Sequence, residues 1–314
     1  MTTLVTGAGL IGTAFAKEAV KRGEKLVLFD ARPDAAYLRV KLGDAVPEVV
    51  RGDVRDLPSL VDAVRTHGAD TLVHTAGLIG GQVSAALYTG LQINVGGTIN
   101  VAEAARLGGV RRFVHVSTNG VYNRRIEHTG PIAEDHPRGG GGAYASSKTA
   151  NEVLLETYAQ QYDFELLMVR PAAVFGYGHY VAGSSAGMRV HALVEGGVNG
   201  TAVHVPAAQA GPAEYVYAKD VGRMIDRLAT IAMPSQTVFN AGTGLVSTFE
   251  EIAAAARAAM PGLRVDMEPS QAASPQPLAI SRAREVLEWE PAYSLTDAFV
   301  DYVEEYRRAV GKPA

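Results

Sequence analysis

The sequence predicts an α/β protein: a doubly wound parallel sheet with helices on both faces and a smaller C-terminal lobe. Three observations predict it. Short β-branched runs alternate with amphipathic stretches as far as about Pro171, and a glycine-rich turn joins the first run to the first such stretch. Beyond Pro171 the alternation fades. Alternation of this kind places a helix between successive parallel strands.

In chain order, Leu4 to Thr6, Lys25 to Phe29, Val49 and Val50, Thr71 to His74, Phe113 to Ser117 and Leu166 to Val169 read as strands. Thr13 to Arg22, Leu57 to Thr66, Gly97 to Leu107 and Ala145 to Tyr162 read as the helices among them. Four consecutive glycines, Gly139 to Gly142, signal a mobile loop. A Gly/Ala/Pro-containing stretch, Pro206 to Ala213, then interrupts the chain. Helical patterns follow at Thr248 to Ala259, Ser281 to Leu287 and Leu295 to Arg308. The expected division is a sheet domain over residues 1–170, joined by 214–245, and a lobe from 171–213 and 246–314 that caps the C-terminal edge of the sheet.

Composition narrows the function. Hydrophobic residues make up 47% of the 314 and charged residues 20%, an ordinary globular balance. A net charge of −4 without a basic run argues against nucleic-acid binding, which needs concentrated positive charge. No apolar run approaches the ~20 residues that span a bilayer, and the apolar N-terminus lacks a basic leader, so it reads as a strand rather than a signal peptide. The absence of cysteine removes disulfides and thiolate chemistry, and fits a reducing cytoplasm. Eight scattered histidines, with no pair four residues apart, give no reason to expect a metal.

The segment LVTGAGLIGTAF places Gly7, Gly9 and Gly12, with Leu10 and Ile11 between, after a strand and at the start of a helix. Gly7 permits the tight turn, Gly9 lets the backbone approach a pyrophosphate, and Gly12 lets helix and strand pack closely. Asp30 follows Gly12 by 18 residues and ends the second strand. A carboxylate there accepts hydrogen bonds from both ribose hydroxyls and repels a 2′-phosphate, which favours NAD over NADP. Arg32 is the counterweight, because a guanidinium binds that phosphate or simply sits in solvent. Asp53 and Val54, in GDVRD after the third strand, stand where the adenine would lie. Asp53 reads equally well as a turn-former beside Gly52.

The segment YASSK, Tyr144 to Lys148, opens a long helix 26 residues after Thr118, which ends a buried strand. Four residues apart on a helix, Lys148 stands beside Tyr144. Its ammonium is expected to lower the phenol pKa and fit Tyr144 for acid/base work on a substrate hydroxyl.

These segments, with VHTAG, NVGGTINV, VSTNGVY, VRPAAVFG, EYVYAKDV, FNAGTG and LEWEPAYSL, run nearly end to end and resemble the extended short-chain dehydrogenase/reductases. That group includes sugar-nucleotide epimerases and dehydratases. The resemblance implies a Rossmann-type sheet with a substrate-binding lobe, Thr118 polarising the substrate oxygen, Tyr144 exchanging its proton and Lys148 holding the nicotinamide ribose. It also implies Ala76, Gly77, Asn94 and Pro171 along the cofactor, His74 as a strand residue only, and a homodimer through the helices containing Asn100 and Tyr158.

Four departures bear on the substrate. The glycine loop is one residue shorter than the family's G-x-x-G-x-x-G. Ala173 stands where sugar-nucleotide members usually carry Asn, and Ala213 where they carry a diphosphate-binding Arg. An Asn that commonly holds the nucleotide is replaced within Gly183 to Ala186. Arg189 or Arg124 would have to supply a substitute cation. The departures favour a small sugar acid, lactol or polyol as substrate of an NAD-dependent dehydrogenase. Asn119 is either a contact to that substrate or a turn residue in left-handed conformation, with Ser84, Gln82 and His179 as further pocket residues. The alternatives are a nucleotide-sugar epimerase or dehydratase that recycles NAD internally and, from another class, a non-catalytic dinucleotide sensor.

Overall fold

The strand β1 (Thr2–Thr6) alternates its side chains between two cores, Val5 on one face of the sheet and Leu4 on the other. A computed structural model describes residues 2–178 and 184–313 of the chain. In chain order, α1 (Leu10–Lys21), β2 (Lys25–Asp30), α2 (Ala35–Leu42), β3 (Glu48–Arg51), α3 (Leu57–His67) and β4 (Thr71–His74) follow β1. Two short helices, α4 (Gly81–Ala85) and α5 (Leu87–Leu91), lead through a π-helical turn, Gln92–Gly96, into α6 (Gly97–Gly108). Next come β5 (Arg112–Val116), α7 (Ala143–Tyr162), β6 (Glu165–Pro171) and β7 (Ala173–Phe175). The remainder is α8 (Ser185–Asn199), β8 (Val203–Val205), β9 (Tyr215–Tyr217), α9 (Ala218–Thr230), β10 (Val238–Ala241), α10 (Phe249–Ala259), β11 (Val265–Met267), α11 (Ser281–Leu287) and α12 (Leu295–Ala309).

Seven parallel strands form the main sheet in the order β10-β6-β5-β4-β1-β2-β3. The order reverses between β1 and β4, where Thr6 pairs with His74 and a crevice opens at the strand ends. Strand residues alternate strictly. Leu26, Leu28, Val114, Val116, Leu167 and Val169 join Val5 against α1 and α9, while Val27, Phe29, Phe113, Leu166 and Met168 join Leu4 against α3, α6 and α7. The packing is close enough to need glycine, since a Cβ on Gly222 of α9 would lie 2.5 Å from the Ala14 carbonyl carbon in α1.

A third core gathers Phe175 of β7, Tyr215 of β9, Val190 and Val194 of α8, Ile252 of α10 and Phe299 of α12. Buried charges tie α12 back to the sheet: Glu305 takes Lys41 of α2 at 2.6 Å and Lys219 of α9 at 3.0 Å. Two carboxylates from the EYVYAKDV segment hold the C-terminal part in place. Glu214 accepts main-chain N–H groups from Thr243, Gly244 and Leu278 at 2.6–2.8 Å, and Asp220 accepts that of Ala292 at 2.8 Å.

The fading of the alternation past Pro171 does not mean that strands cease. β10 extends the main sheet, but at four residues it is too short to display a period. The helix α9 does carry apolar residues at helical spacing (Val221, Met224, Ile225, Leu228), a pattern the charges between them obscure.

Candidate active site

A cleft of about 680 Å³ lies along the carboxyl ends of the strands. Gly9, Leu10, Ile11, Asp30 and Arg32 line one part; Thr118, Asn119, Tyr144, Lys148 and Pro171 line the middle; Ala173, Ala213 and Glu214 line the rest. Eleven of the residues singled out from the sequence as site residues thus meet here: Gly9, Leu10, Ile11, Asp30, Arg32, Thr118, Asn119, Tyr144, Lys148, Pro171 and Ala173.

The glycine loop follows from steric limits. Gly7 has φ +93° and a Cβ there would lie 2.6 Å from Thr75 Oγ1 and 2.7 Å from the Ala76 nitrogen. A Cβ on Gly12 would lie 1.9 Å from the Gly7 carbonyl oxygen, so helix and turn touch directly. Gly9 faces open space and caps α1 with no side chain. The first N–H groups of that helix are therefore offered to the cleft, where they suit an anion. At the end of β2, Asp30 accepts N–H groups from Ala8 at 2.8 Å and from Arg32 at 2.7 Å, which ties its carboxylate to the glycine loop. Bare helix amides and a fixed carboxylate at one end, with Tyr144 and Lys148 further along, fit a dinucleotide.

Thr118 and Tyr144 meet because two glycines touch. Gly139 and Gly140 both donate to the Val121 carbonyl, at 2.8 and 3.0 Å, and a Cβ on Gly140 would lie 1.6 Å from the Gly120 oxygen. The glycine run thus anchors the start of α7 against the Asn119–Val121 turn, where a mobile loop was expected. Thr118 Oγ1 accepts the Gly120 N–H at 3.1 Å and its hydroxyl hydrogen-bonds Tyr144.

Lys148 does not lower the Tyr144 pKa in the way its position suggested. Its Nζ donates to the Val116 carbonyl at 2.7 Å, and burial brings the ammonium down to about 8 despite the pull of Glu152. Burial likewise pushes the Tyr144 phenol up to about 12, against the opposing hydrogen bond from Thr118. His74 is a structural strand residue. Thr98 donates to the Asn94 carbonyl at 2.6 Å, so it accepts from His74 Nε2 at 2.9 Å, while Thr6 donates to Nδ1 at 2.6 Å. Burial, then the Lys148 charge, hold the ring neutral with a pKa of about 3.

Several expected residues stand away from the cleft wall. Asp53 is held by Arg55, whose Nη2 lies 2.6 Å away and whose hydrogen bonds keep its carboxyl below the usual range. Val54 packs under Gly97. Asn94 spends its amide on Leu78 and Ser147, with its oxygen close to Gly77. Ala76 packs against the Leu4 core. Ser84 and Gln82 lie on α4, outside the cleft lining. Arg189 donates to the carbonyls of Gln209 and Gly211, also outside it, and so is no substitute cation there. His179 lies outside the described residues. Asn119 is not in left-handed conformation, which removes that account of it.

Tyr37 lines the cleft without any motif to announce it. Its hydroxyl lies 3.0 Å from Thr13 Oγ1, and Gly178 passes so close that a Cβ would sit 2.6 Å from that oxygen.

The family model described as "NAD dependent epimerase/dehydratase family" matches residues 3–242. A UDP-glucose 4-epimerase of Mycolicibacterium smegmatis is 30% identical over 98% of this chain and 99% of its own length. A dTDP-glucose 4,6-dehydratase of Xanthomonas campestris is 31% identical over 57% of this chain and 55% of its own. Among solved structures, a UDP-glucose 4-epimerase of Thermus thermophilus in complex with NAD superposes with a TM-score of 0.80 at 25% identity, covering 98% of this chain and 99% of that one.

Proposed function

Because the chain belongs to the NAD dependent epimerase/dehydratase family, we propose that it is a nucleotide-sugar epimerase that reduces and reoxidises its NAD within one turnover. The observation that carries this reading is the proton inventory of the cleft. Removal of water from a sugar needs groups to take a C–H proton and to protonate the departing hydroxyl, besides the group that serves the oxidation. Among the described residues, the cleft carboxylates are Asp30, Asp34 and Glu214. Asp30 and Asp34 bind main-chain amides on the β2 side, and Glu214 takes three such amides. Tyr144, partnered by Thr118, remains as the proton carrier, which suits oxidation and re-reduction at one carbon.

In this reading the start of α1 holds the pyrophosphate, Asp30 an adenosine ribose and Lys148 the nicotinamide ribose. Bound NAD supplies reversible two-electron storage. Tyr144 takes the proton of the substrate hydroxyl and returns it, while Thr118 orients that oxygen. Burial favours the neutral phenol, opposed by the hydrogen bond from Thr118, so the positive charge of the oxidised cofactor is what permits Tyr144 to act as a base. Residues 171–213 and 246–314 form the substrate lobe. A homodimer through α6 and α7, with exposed Leu107, Val153 and Tyr162, and a cytoplasmic location complete the proposal. Among the described residues no helix is long and apolar enough to cross a membrane.

One observation favours a second reading. Ala173 and Ala213 both line the cleft and offer no amide or guanidinium to a diphosphate, as suits a dehydrogenase of a sugar acid, lactol or polyol. The discriminating experiment incubates the purified protein with UDP-galactose and no added NAD. Formation of UDP-glucose supports the epimerase. Its absence, together with NADH formation from added NAD and a sugar acid or polyol, supports the dehydrogenase.

A further inference from the structure

The cleft is lined by three carboxylates and three cations, and the two sets differ in how their hydrogen-bonding capacity is used. Its three carboxylates are occupied by main-chain donors: Asp30 by Ala8 and Arg32, Asp34 by Ala36 and Tyr37 at the start of α2, and Glu214 by three amides. Its cations, Arg32, Lys148 and Arg124, form no ion pair among the described residues. Arg32 stands beside Asp30 at the end of β2, and Lys148 donates to Val116 at the end of β5. Arg124 stands against the segment that precedes Leu278 and donates from Nη1 to the Gln276 carbonyl at 3.1 Å. The rest of its guanidinium fork makes no hydrogen bond or ion pair among the described residues, and Glu214 acts on it only as a nearby charge.

We infer that Arg124 anchors an anionic group of the substrate, holding it on the same loop that carries Thr118 and Asn119. The inference deepens the nucleotide-sugar reading and rests on it only for the identity of the anion, a diphosphate. A guanidinium pairs with phosphate or carboxylate oxygens through two parallel N–H bonds. Partial burial lowers the Arg124 pKa, against the opposing pull of the Glu214 carboxylate and of Tyr122, and Glu214 is already engaged by three main-chain amides. The loop also links the two ends of the substrate. Asn123 accepts Arg125 N–H through its side chain, and its backbone N–H donates to Pro137, so the segment that bears Arg124 is braced. An anion fixed there sets the distance from the charged group to the oxygen that Thr118 orients.

The test titrates UDP into NAD-loaded wild-type protein and into Arg124→Gln and Arg124→Lys by calorimetry, with melting temperature and NAD content as controls. UDP should bind roughly tenfold to a hundredfold more weakly to the Gln variant, as expected for a lost charge-assisted hydrogen-bond pair, and with partial recovery in the Lys variant. Equal UDP affinity in wild type and Arg124→Gln overturns the anchor and leaves the nucleotide-sugar reading standing. Failure of wild type to bind UDP overturns that reading instead, and D-glucuronate is then titrated into the same proteins. Binding that weakens in Arg124→Gln upholds the anchor for a carboxylate, and equal or absent binding overturns it.

Discussion

Gly140 lies so close to Gly120 that a Cβ on the former would sit 1.6 Å from the carbonyl oxygen of the latter. This contact joins the turn that carries Thr118 to the helix that carries Tyr144. Backbone, and not a flexible side chain, is what a new methyl group would meet. Gly140→Ala is therefore expected to move the two hydroxyls apart and lower kcat by about a hundredfold, the scale set by a misplacement near 1 Å. Steady-state kinetics beside a circular-dichroism spectrum checks it; full activity in a folded variant would contradict it.

Tyr144→Phe keeps the ring and loses the proton carrier. The expected fall in kcat is ~10²- to 10⁴-fold, the range of general acid–base contributions, with NAD content unchanged. Activity within a factor of two of wild type would remove Tyr144 from the chemistry.

Lys148 connects catalysis to stability. Burial brings its folded-state pKa down to about 8, below the usual 10.5 that holds in the unfolded chain. Below about pH 8 both states are charged and the folded state bears the cost of the buried ammonium. From there toward 10.5 the unfolded chain binds more protons, so wild-type stability gains with pH. Relative to Lys148→Met, nucleotide-free wild type should therefore gain melting temperature between about pH 7 and about pH 9.5. A constant difference across that window would show that the ammonium is not desolvated.

Asp30 is fixed by the amides of Ala8 and Arg32 and still has lone pairs to offer. Replacement by Asn halves the acceptors and removes the charge. NAD affinity is expected to fall roughly tenfold and the preference over NADP to shrink, because Arg32 then meets the 2′-phosphate unopposed. Fluorescence titration of both nucleotides measures the change.

Glu214 accepts three main-chain N–H groups in the interior. In Glu214→Gln one of those donors faces an amide NH₂, which leaves it unsatisfied. A stability loss of about 2 kcal/mol is expected from urea unfolding, since a buried unpaired donor costs on that order.

The sheet half was legible because its strands alternate between two cores, as Leu4 and Val5 or Phe113 and Val114 do. Thr71–His74 and Ser281–Leu287 fall where the pattern predicts them. The first helix begins at Leu10 rather than Thr13, because a glycine cap leaves no sequence signature of the kind Asp34 gives α2. The helix α8 is not among the helices the pattern predicts, since Gly196 and Gly197 interrupt its apolar face, and the fold uses these glycines for contact with Val203 and Met260. Of the residues set by motif, Gly9, Asp30, Thr118, Tyr144, Lys148 and Pro171 line the cleft while Asp53, Val54, Ala76 and Asn94 do not. Residues set by three-dimensional neighbours did not announce themselves. Tyr37 has no motif, and Arg124 differs from Arg189 only in which carbonyls surround it. The Tyr144 pKa was misjudged because helix spacing gives the neighbour but not the burial, and burial dominates.

The central claim is internal recycling of NAD, and the nucleotide released on denaturing freshly purified protein tests it most directly. Quantified by mass spectrometry against protein concentration, NAD should be found at close to one molecule per chain. An empty site that binds added NAD reversibly would contradict the claim and move the dehydrogenase reading to first place.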